Sequence, residues 1–443
     1  MINSLFFLIF FIFFILIGIL ITLLIWNKPV FVIYIQLIYC CFMRFLITQI
    51  HLPFIIRYLS DYLSIILFLQ IVLHFNKTKY LNIRKPLSFI ILFLLIGVFS
   101  TLYNGNGLIF FIWGLRSYFR FFVFFLACTI FLKKENIDKL LKFLLILLPI
   151  NFFLSLFQYQ FLGLRNDNVG GTFGIEQGCN GEMNTFLTVV ITITIVYYIY
   201  KKYNSFQLIA NISMVVIIAS ISELKFTIII IGIITFIIFI LSFPNYRAIK
   251  LAIISCCIII VGGFILLSLY PSWIDMFGTL SDAIYHTAIV YAREGSLGRL
   301  TAGPYLLQNI LTEPYQKLIG IGLGNADKFL TFTSTFFNRY EDLEYNFFTY
   351  SLMLVEVGLI GLISYCLFFI SILYDSLRIR KKINQDFSFY CIISFILSLM
   401  VFQLIIYNTS MYLDCSFIIF FTLSFPFIIE RETIENKIIL IKQ

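Results

Sequence analysis

Apolar runs long enough to cross a bilayer recur along this whole sequence, at about 3–26, 30–50, 58–76, 87–104, 107–132, 140–162, 182–200, 205–221, 224–243, 251–270, 346–376, 388–407 and 412–430. A helix needs ~20 apolar residues to span the hydrocarbon core, where backbone polar groups must be satisfied internally. Composition agrees. Of 443 residues, 61% are apolar and 12% charged, with 54 Phe among them, more apolar surface than a water-soluble fold would hide. The sequence therefore predicts an all-α polytopic membrane helix bundle of 12–13 transmembrane helices. The first run has no basic segment before it and no small-residue cleavage site after it, so it is read as a helix rather than a signal peptide. Eight of the nine Cys fall in apolar runs and only Cys179 in a polar loop, which excludes a disulfide scaffold.

Orientation follows from the bases. Lys77, Lys79, Arg84 and Lys85, then Lys133-Lys134, Lys201-Lys202, Arg247 with Lys250, and Arg378 to Lys382 occupy every second connection. Such alternation places those loops, and the C-terminal tail 431–443, in the cytoplasm. Thirteen spans put the N-terminus outside, whereas twelve put both ends inside. The organisation expected is an N-terminal membrane bundle (1–270), one large external, partly helical loop (271–345) and C-terminal spans (346–430). That loop is too rich in aromatic residues for disorder, and a long connection of this kind is usually functional. The net charge of +9 is then an inner-face excess and no sign of nucleic acid.

The outer side carries 8 of 13 Arg but 3 of 18 Lys. Guanidinium grips phosphate or carboxylate with a planar fork of donors and stays charged when half-buried. Two readings stay open: an anionic ligand, or pairing with acidic residues on the same side. Arg116 and Arg120 lie four residues apart on one helix face, deep in a span where bases are costly. Glu223 and Lys225 sit at the turn between two spans, as a hairpin-closing ion pair or as ligand contacts. Glu356 lies inside a span, structural and protonated or functional. His286 is a polar surface residue or a base. HExxH, CxxC and GxxxxGK[ST] patterns are absent, so neither a metal nor a cofactor is expected. The glycines of Gly320-Ile-Gly322-Leu-Gly324 read as a tight turn.

Several pieces in order resemble the O-antigen polymerase / O-antigen ligase superfamily of bacterial envelope polysaccharide enzymes. They are Gly114-Leu-Arg116-Ser-Tyr-Phe-Arg120, Val169-Gly-Gly-Thr-Phe-Gly174 with Asn180, Ser222-Glu-Leu-Lys225, Gly298-Arg299, Gly320 to Gly324 and Glu356-Val-Gly358-Leu-Ile-Gly361. The resemblance implies a C-type glycosyltransferase-like fold in the bacterial inner (plasma) membrane. It implies glycan transfer on the outer face from a polyprenyl-diphosphate-linked oligosaccharide, with a chain-length regulator and a flippase as pathway partners. Arg116, Arg120 and Arg299 would contact the diphosphate, with Arg165, Arg293, Lys225 and Glu223 as secondary candidates. Many relatives carry a His-Asn pair before the post-loop span, and Phe347 stands at that His position here. Glu344 or His286 would then substitute as base, and the departure favours polymerase over ligase. A flippase or other transporter of lipid-linked sugars is the alternative outside enzymes.

Overall fold

The computed structural model describes residues 25–74, 82–242, 244–270, 295–329 and 332–442. His286, Arg293 and most of the first expected span lie outside the described residues. Among the described residues nine helices precede the long connection: α1 (Pro29–Thr48), α2 (Leu59–Leu73), α3 (Arg84–Tyr103), α4 (Leu108–Phe131), α5 (Lys134–Gln160), α6 (Cys179–Ile199), α7 (Ser205–Ile221), α8 (Lys225–Ser242) and α9 (Tyr246–Leu269). The connection carries the short helices α10 (Ala302–Tyr305), α11 (Pro314–Ile319) and α12 (Thr335–Tyr340). After it come α13 (Thr349–Arg380), α14 (Ser388–Tyr407), α15 (Ser416–Leu423) and α16 (Phe425–Lys442). Among the described residues there is no strand, only an isolated bridge between Lys328 and Thr333.

The protein is an all-α, multi-pass membrane bundle. Ten of its described helices are long and apolar enough to cross a bilayer, against the 12–13 expected. Two spans account for part of the difference. The 205–221 run is a helix of 17 residues, short for a crossing. The 412–430 run is no single helix: it breaks at Ser424 between α15 and α16. The connection before it is eight residues long, 408–415, and contains a 3₁₀ turn at Ser410–Tyr412.

Local sequence explains the helix ends. Asn204 and Gln207 form a reciprocal capping box at the start of α7, and Asn245 caps α9. Pro314, at the first position of α11, needs no hydrogen-bond acceptor for a missing N–H. The central mast is α6, buried along its apolar length, whereas α9 is the most peripheral helix. Thr188 and Thr192 reconcile hydroxyls with this interior by donating to the carbonyls of Asn184 and Thr188, both at 2.8 Å. Phenylalanine fills the core. Phe121, Phe122 and Phe125 of α4 meet Phe368 of α13 and Phe417 and Phe420 of α15, mostly edge to face with centroids 4.8–5.9 Å apart.

Three glycines solve a problem that side chains cannot. Helix α13 is interrupted at Gly358 (φ 66°, ψ −170°), backbone space open essentially to glycine alone. Opposite the break, Ile321 N–H donates to Val355 O (2.9 Å) and Gly322 N–H to Glu356 O (3.0 Å). A Cβ on Gly320 would stand 2.5 Å from the Glu356 carbonyl, and one on Gly358 would stand 2.4 Å from that of Leu318. The segment expected to be a tight turn does turn, with Asn325 N–H donating to Gly322 O (3.2 Å), and its backbone is also wedged between helices. On its other side a Cβ on Gly114 of α4 would lie 2.2 Å from Gly324 N.

Candidate functional site

Arg116 and Arg120 do share one face of α4, and both meet Asp61 in the first turn of α2. Arg116 Nη2 lies 2.7 Å from Asp61 Oδ2, and Arg120 Nη1 lies 3.4 Å from Asp61 Oδ1. Asp61 is well placed there, because the first turn of a helix favours an anion. Arg120 reaches further. Its Nη1 is 2.7 Å from Asp414 Oδ1 and 3.2 Å from Ser60 Oγ, and its Nη2 donates to Tyr412 O at 3.3 Å. Ser60 in turn donates to Asp414 at 3.1 Å. Arg120 is only 6% exposed and Asp414 2%. The pairing alternative therefore holds for Arg120, whose guanidinium ties α2, α4 and the 408–415 connection together. Arg116 differs: it is 22% exposed and lies over the rings of Trp113 (4.8 Å) and Tyr58 (5.4 Å).

Around this pair stand groups that the sequence did not single out for the site. Arg57, half-buried on the 3₁₀ turn Phe54–Tyr58, rests over Phe54 at 5.6 Å. Arg44 of α1 and the buried Glu182 of α6 form a further ion pair at 2.5 Å. Asp327 lies within electrostatic reach of Arg57 and beside the Tyr412 hydroxyl, and its Oδ1 accepts from Lys328 N–H at 2.7 Å. Burial outweighs the Lys328 N–H, Tyr412 and Arg57, and holds the Asp327 carboxyl above its ordinary range. Glu356, fully buried, accepts from the Tyr118 hydroxyl and from Gly324 N–H, each at 3.0 Å. Its carboxyl locks the glycine segment onto α4 and α13. Solitary acids near the ends of apolar runs, such as Asp61 and Asp414, were the available signal.

A second polar group gathers Glu223, Lys225 and Arg299. Glu223, in a left-handed conformation (φ 55°), reaches Lys225 at 3.3 Å across the α7–α8 turn. Arg299 and Asp167 both act electrostatically on Lys225. Arg299 Nε donates to Tyr407 O (3.1 Å) above the Tyr407 ring (4.4 Å), and Tyr350 donates its hydroxyl proton to Arg299 O (2.6 Å). Asn180 at the head of α6 closes the group, donating to Asp167 Oδ1 (2.7 Å) and Ser222 O (3.0 Å). The two groups are joined by the 408–415 connection, which follows Tyr407 and carries Tyr412 and Asp414.

The Val169–Gly174 motif is pinned by amides of α5. Gln158 accepts from Gly171 N–H (2.8 Å) and donates to Gly171 O (2.9 Å), while Asn151 accepts from Thr172 N–H (2.8 Å). Cys179, expected in a loop, is instead the first residue of α6 and buried against Gly170. Arg165 is exposed and turned back to the end of α5, donating to Tyr159 O (2.7 Å) over the Tyr159 ring. Glu344, also left-handed (φ 53°), lines a depression of about 360 Å³ with Glu341, Asp342 and Asn346. Among the described residues no group of three or more His, Cys, Asp or Glu is placed to hold a metal ion.

The opposite end of the bundle is built differently. Arg431 of α16 donates to the last carbonyls of α4, at Thr129, Ile130 and Leu132, and Arg378 pairs with Asp375 at 3.1 Å. Arg116, Arg120 and Arg299 thus stand at the end that also receives the 295–345 segment, and Arg431 and Arg378 stand at the other. No protein-family model matches the chain, and no curated protein matches it.

Proposed function

We propose that this protein is a glycosyltransferase of the extracytoplasmic face that polymerises polyprenyl-diphosphate-linked oligosaccharide repeat units into O-antigen, capsule or exopolysaccharide. The observation that carries the reading is Arg116: a guanidinium 22% exposed, oriented by Asp61 and two aromatic rings, one of which stacks on Phe329. A lipid diphosphate is already a good leaving group and chiefly needs its growing charge neutralised as it departs. Preorganised guanidinium does that without a metal ion. Arg299 and Lys225 form the second cationic group at the same end, which suits a substrate with both a diphosphate and a sugar chain. Arg120 orients Asp61 and the 408–415 connection, and acts on the ligand through them. On this reading the site end faces outward, the Lys-rich end is cytoplasmic, and the membrane is the bacterial inner membrane.

The test is charge removal with the full chain restored to a strain lacking it. Arg116→Ala and Arg299→Ala should each abolish long polymer while the protein still inserts at the normal level. Normal polymer from both variants would remove this assignment. The break in α13 favours a second reading, because discontinuous helices at a polar centre also build transporters of lipid-linked substrates. The glycan profile of the deletion strain separates the readings. Single repeat units outside indicate a lost polymerase, units trapped inside a lost flippase, and full polymer left on carrier lipid a lost ligase.

A further inference from the structure

Resting on the polymerase reading, a base is still needed to accept the proton of the sugar hydroxyl, and the carboxylates near Arg116 can be sorted by what each already does. Asp61 is held by Arg116 and Arg120, and Asp414 by Arg120 and Ser60. Glu182 is paired with Arg44. Glu356 is enclosed and accepts from Tyr118 and Gly324. Glu344 lines a separate acidic depression. Asp327 remains. It is partly exposed, on a segment whose Phe329 stacks on Trp113 at 5.9 Å, the same ring that carries the Arg116 guanidinium. Tyr412 lies within electrostatic reach of Asp327, and its carbonyl accepts from Arg120, the arginine that shares Asp61 with Arg116.

We propose that Asp327 is the general base of the transfer and that Arg57, next in sequence to the Tyr58 whose ring lies under Arg116 at 5.4 Å, is a diphosphate contact acting with Arg116. The acceptor hydroxyl oxygen forms its bond to the anomeric carbon of the donor sugar as its proton passes to the Asp327 carboxylate. The bond from that carbon to the diphosphate oxygen breaks, and its electron pair leaves on the diphosphate between Arg57 and Arg116. No oxidant, metal ion or further reactant enters the balance. The groups that face Asp327 electrostatically are Arg57 before α2, Tyr118 on α4, Glu356 on α13, Tyr345 on the segment before α13 and Tyr412, besides its neighbour Lys328.

The experiment uses detergent-purified full chain and, in parallel, polymer formation in a strain lacking it. Farnesyl diphosphate serves as the binding probe, followed by its effect on thermal unfolding. Asp327→Asn should lower polymer formation about 10²–10⁴-fold, the usual contribution of a general base, while keeping the probe-induced shift. Asp327→Glu should restore part of the rate. Arg57→Ala should lose the probe-induced shift. The carboxyl is held above its ordinary value, so rate should fall as pH drops through that raised midpoint, and Arg57→Ala should move the midpoint higher still. Normal polymer from Asp327→Asn, with wild type active, overturns the base assignment alone. An intact shift in Arg57→Ala overturns the contact. If wild-type chain restores no polymer, the polymerase reading and this inference fall together. A merely structural Asp327 would cost folded yield on size exclusion in both variants and leave the pH midpoint of the residual rate unmoved, which also overturns the proposal.

Discussion

Arg120 shows how a residue's sequence position can point to the right place and the wrong job. It is deep, charged and on the face of Arg116, yet its two Nη groups are already engaged by Asp414, Asp61, Ser60 and Tyr412. Removing one member of a buried pair strands the other charge, at a cost of about 3–5 kcal/mol. Asp414→Ala should therefore unfold at markedly lower temperature. The double substitution Arg120→Met with Asp414→Ala should recover much of the loss, as read by thermal unfolding of purified protein. If Arg120 instead binds ligand directly, the double variant would be no more stable than the single one. Glu356 makes a parallel case. Glu356→Gln keeps an acceptor for Gly324 N–H, whereas Glu356→Leu leaves that donor and the Tyr118 hydroxyl unsatisfied at about 1–3 kcal/mol each. The expected order of melting temperature is wild type, Gln, then Leu.

Among the elements, the wedge of Gly320–Gly324 against the break in α13 decides the shape of the site. It fixes α3, α4 and α13 to one another through backbone contacts, and so sets where Trp113 and Arg116 face Phe329 and Asp327. Gly358→Ala or Gly320→Ala would impose a backbone conformation costing on the order of 1–3 kcal/mol, on top of a Cβ inside 2.6 Å of another backbone. Both should reduce folded yield. Gly263→Ala in α9 is the control: nothing lies within 4 Å of its Cβ position, and Ala is favoured over Gly inside a helix by about 1 kcal/mol. It should melt at or above the wild-type temperature. The sequence displayed these glycines openly, but a glycine forced by a tight turn and one forced by backbone contact across the fold read alike. Only the partner strand of chain distinguishes them.

For the whole molecule, the two ends divide the bases by role as well as by type. The end with Arg116, Arg120 and Arg299 receives the 295–345 segment, and the other end uses Arg431 to finish α4 and Arg378 to pair with Asp375. Sidedness is open to direct measurement by thiol labelling in whole cells. Lys317→Cys should react with a membrane-impermeant maleimide in intact cells, and Lys381→Cys only after permeabilisation. The reverse pattern would invert the orientation and remove the outer-face reading. The membrane class, the helical class and most span positions were determined by the sequence alone, because crossing hydrocarbon demands runs of apolar residues whatever the partners are. The candidate bases were legible for the same reason, since charge inside such runs is conspicuous. Which of them are already paired was decided only by tertiary structure. Asp61 and Asp414 reach Arg120 of α4 across 59 and 294 residues of chain respectively, and contacts at that separation are set by how the helices pack.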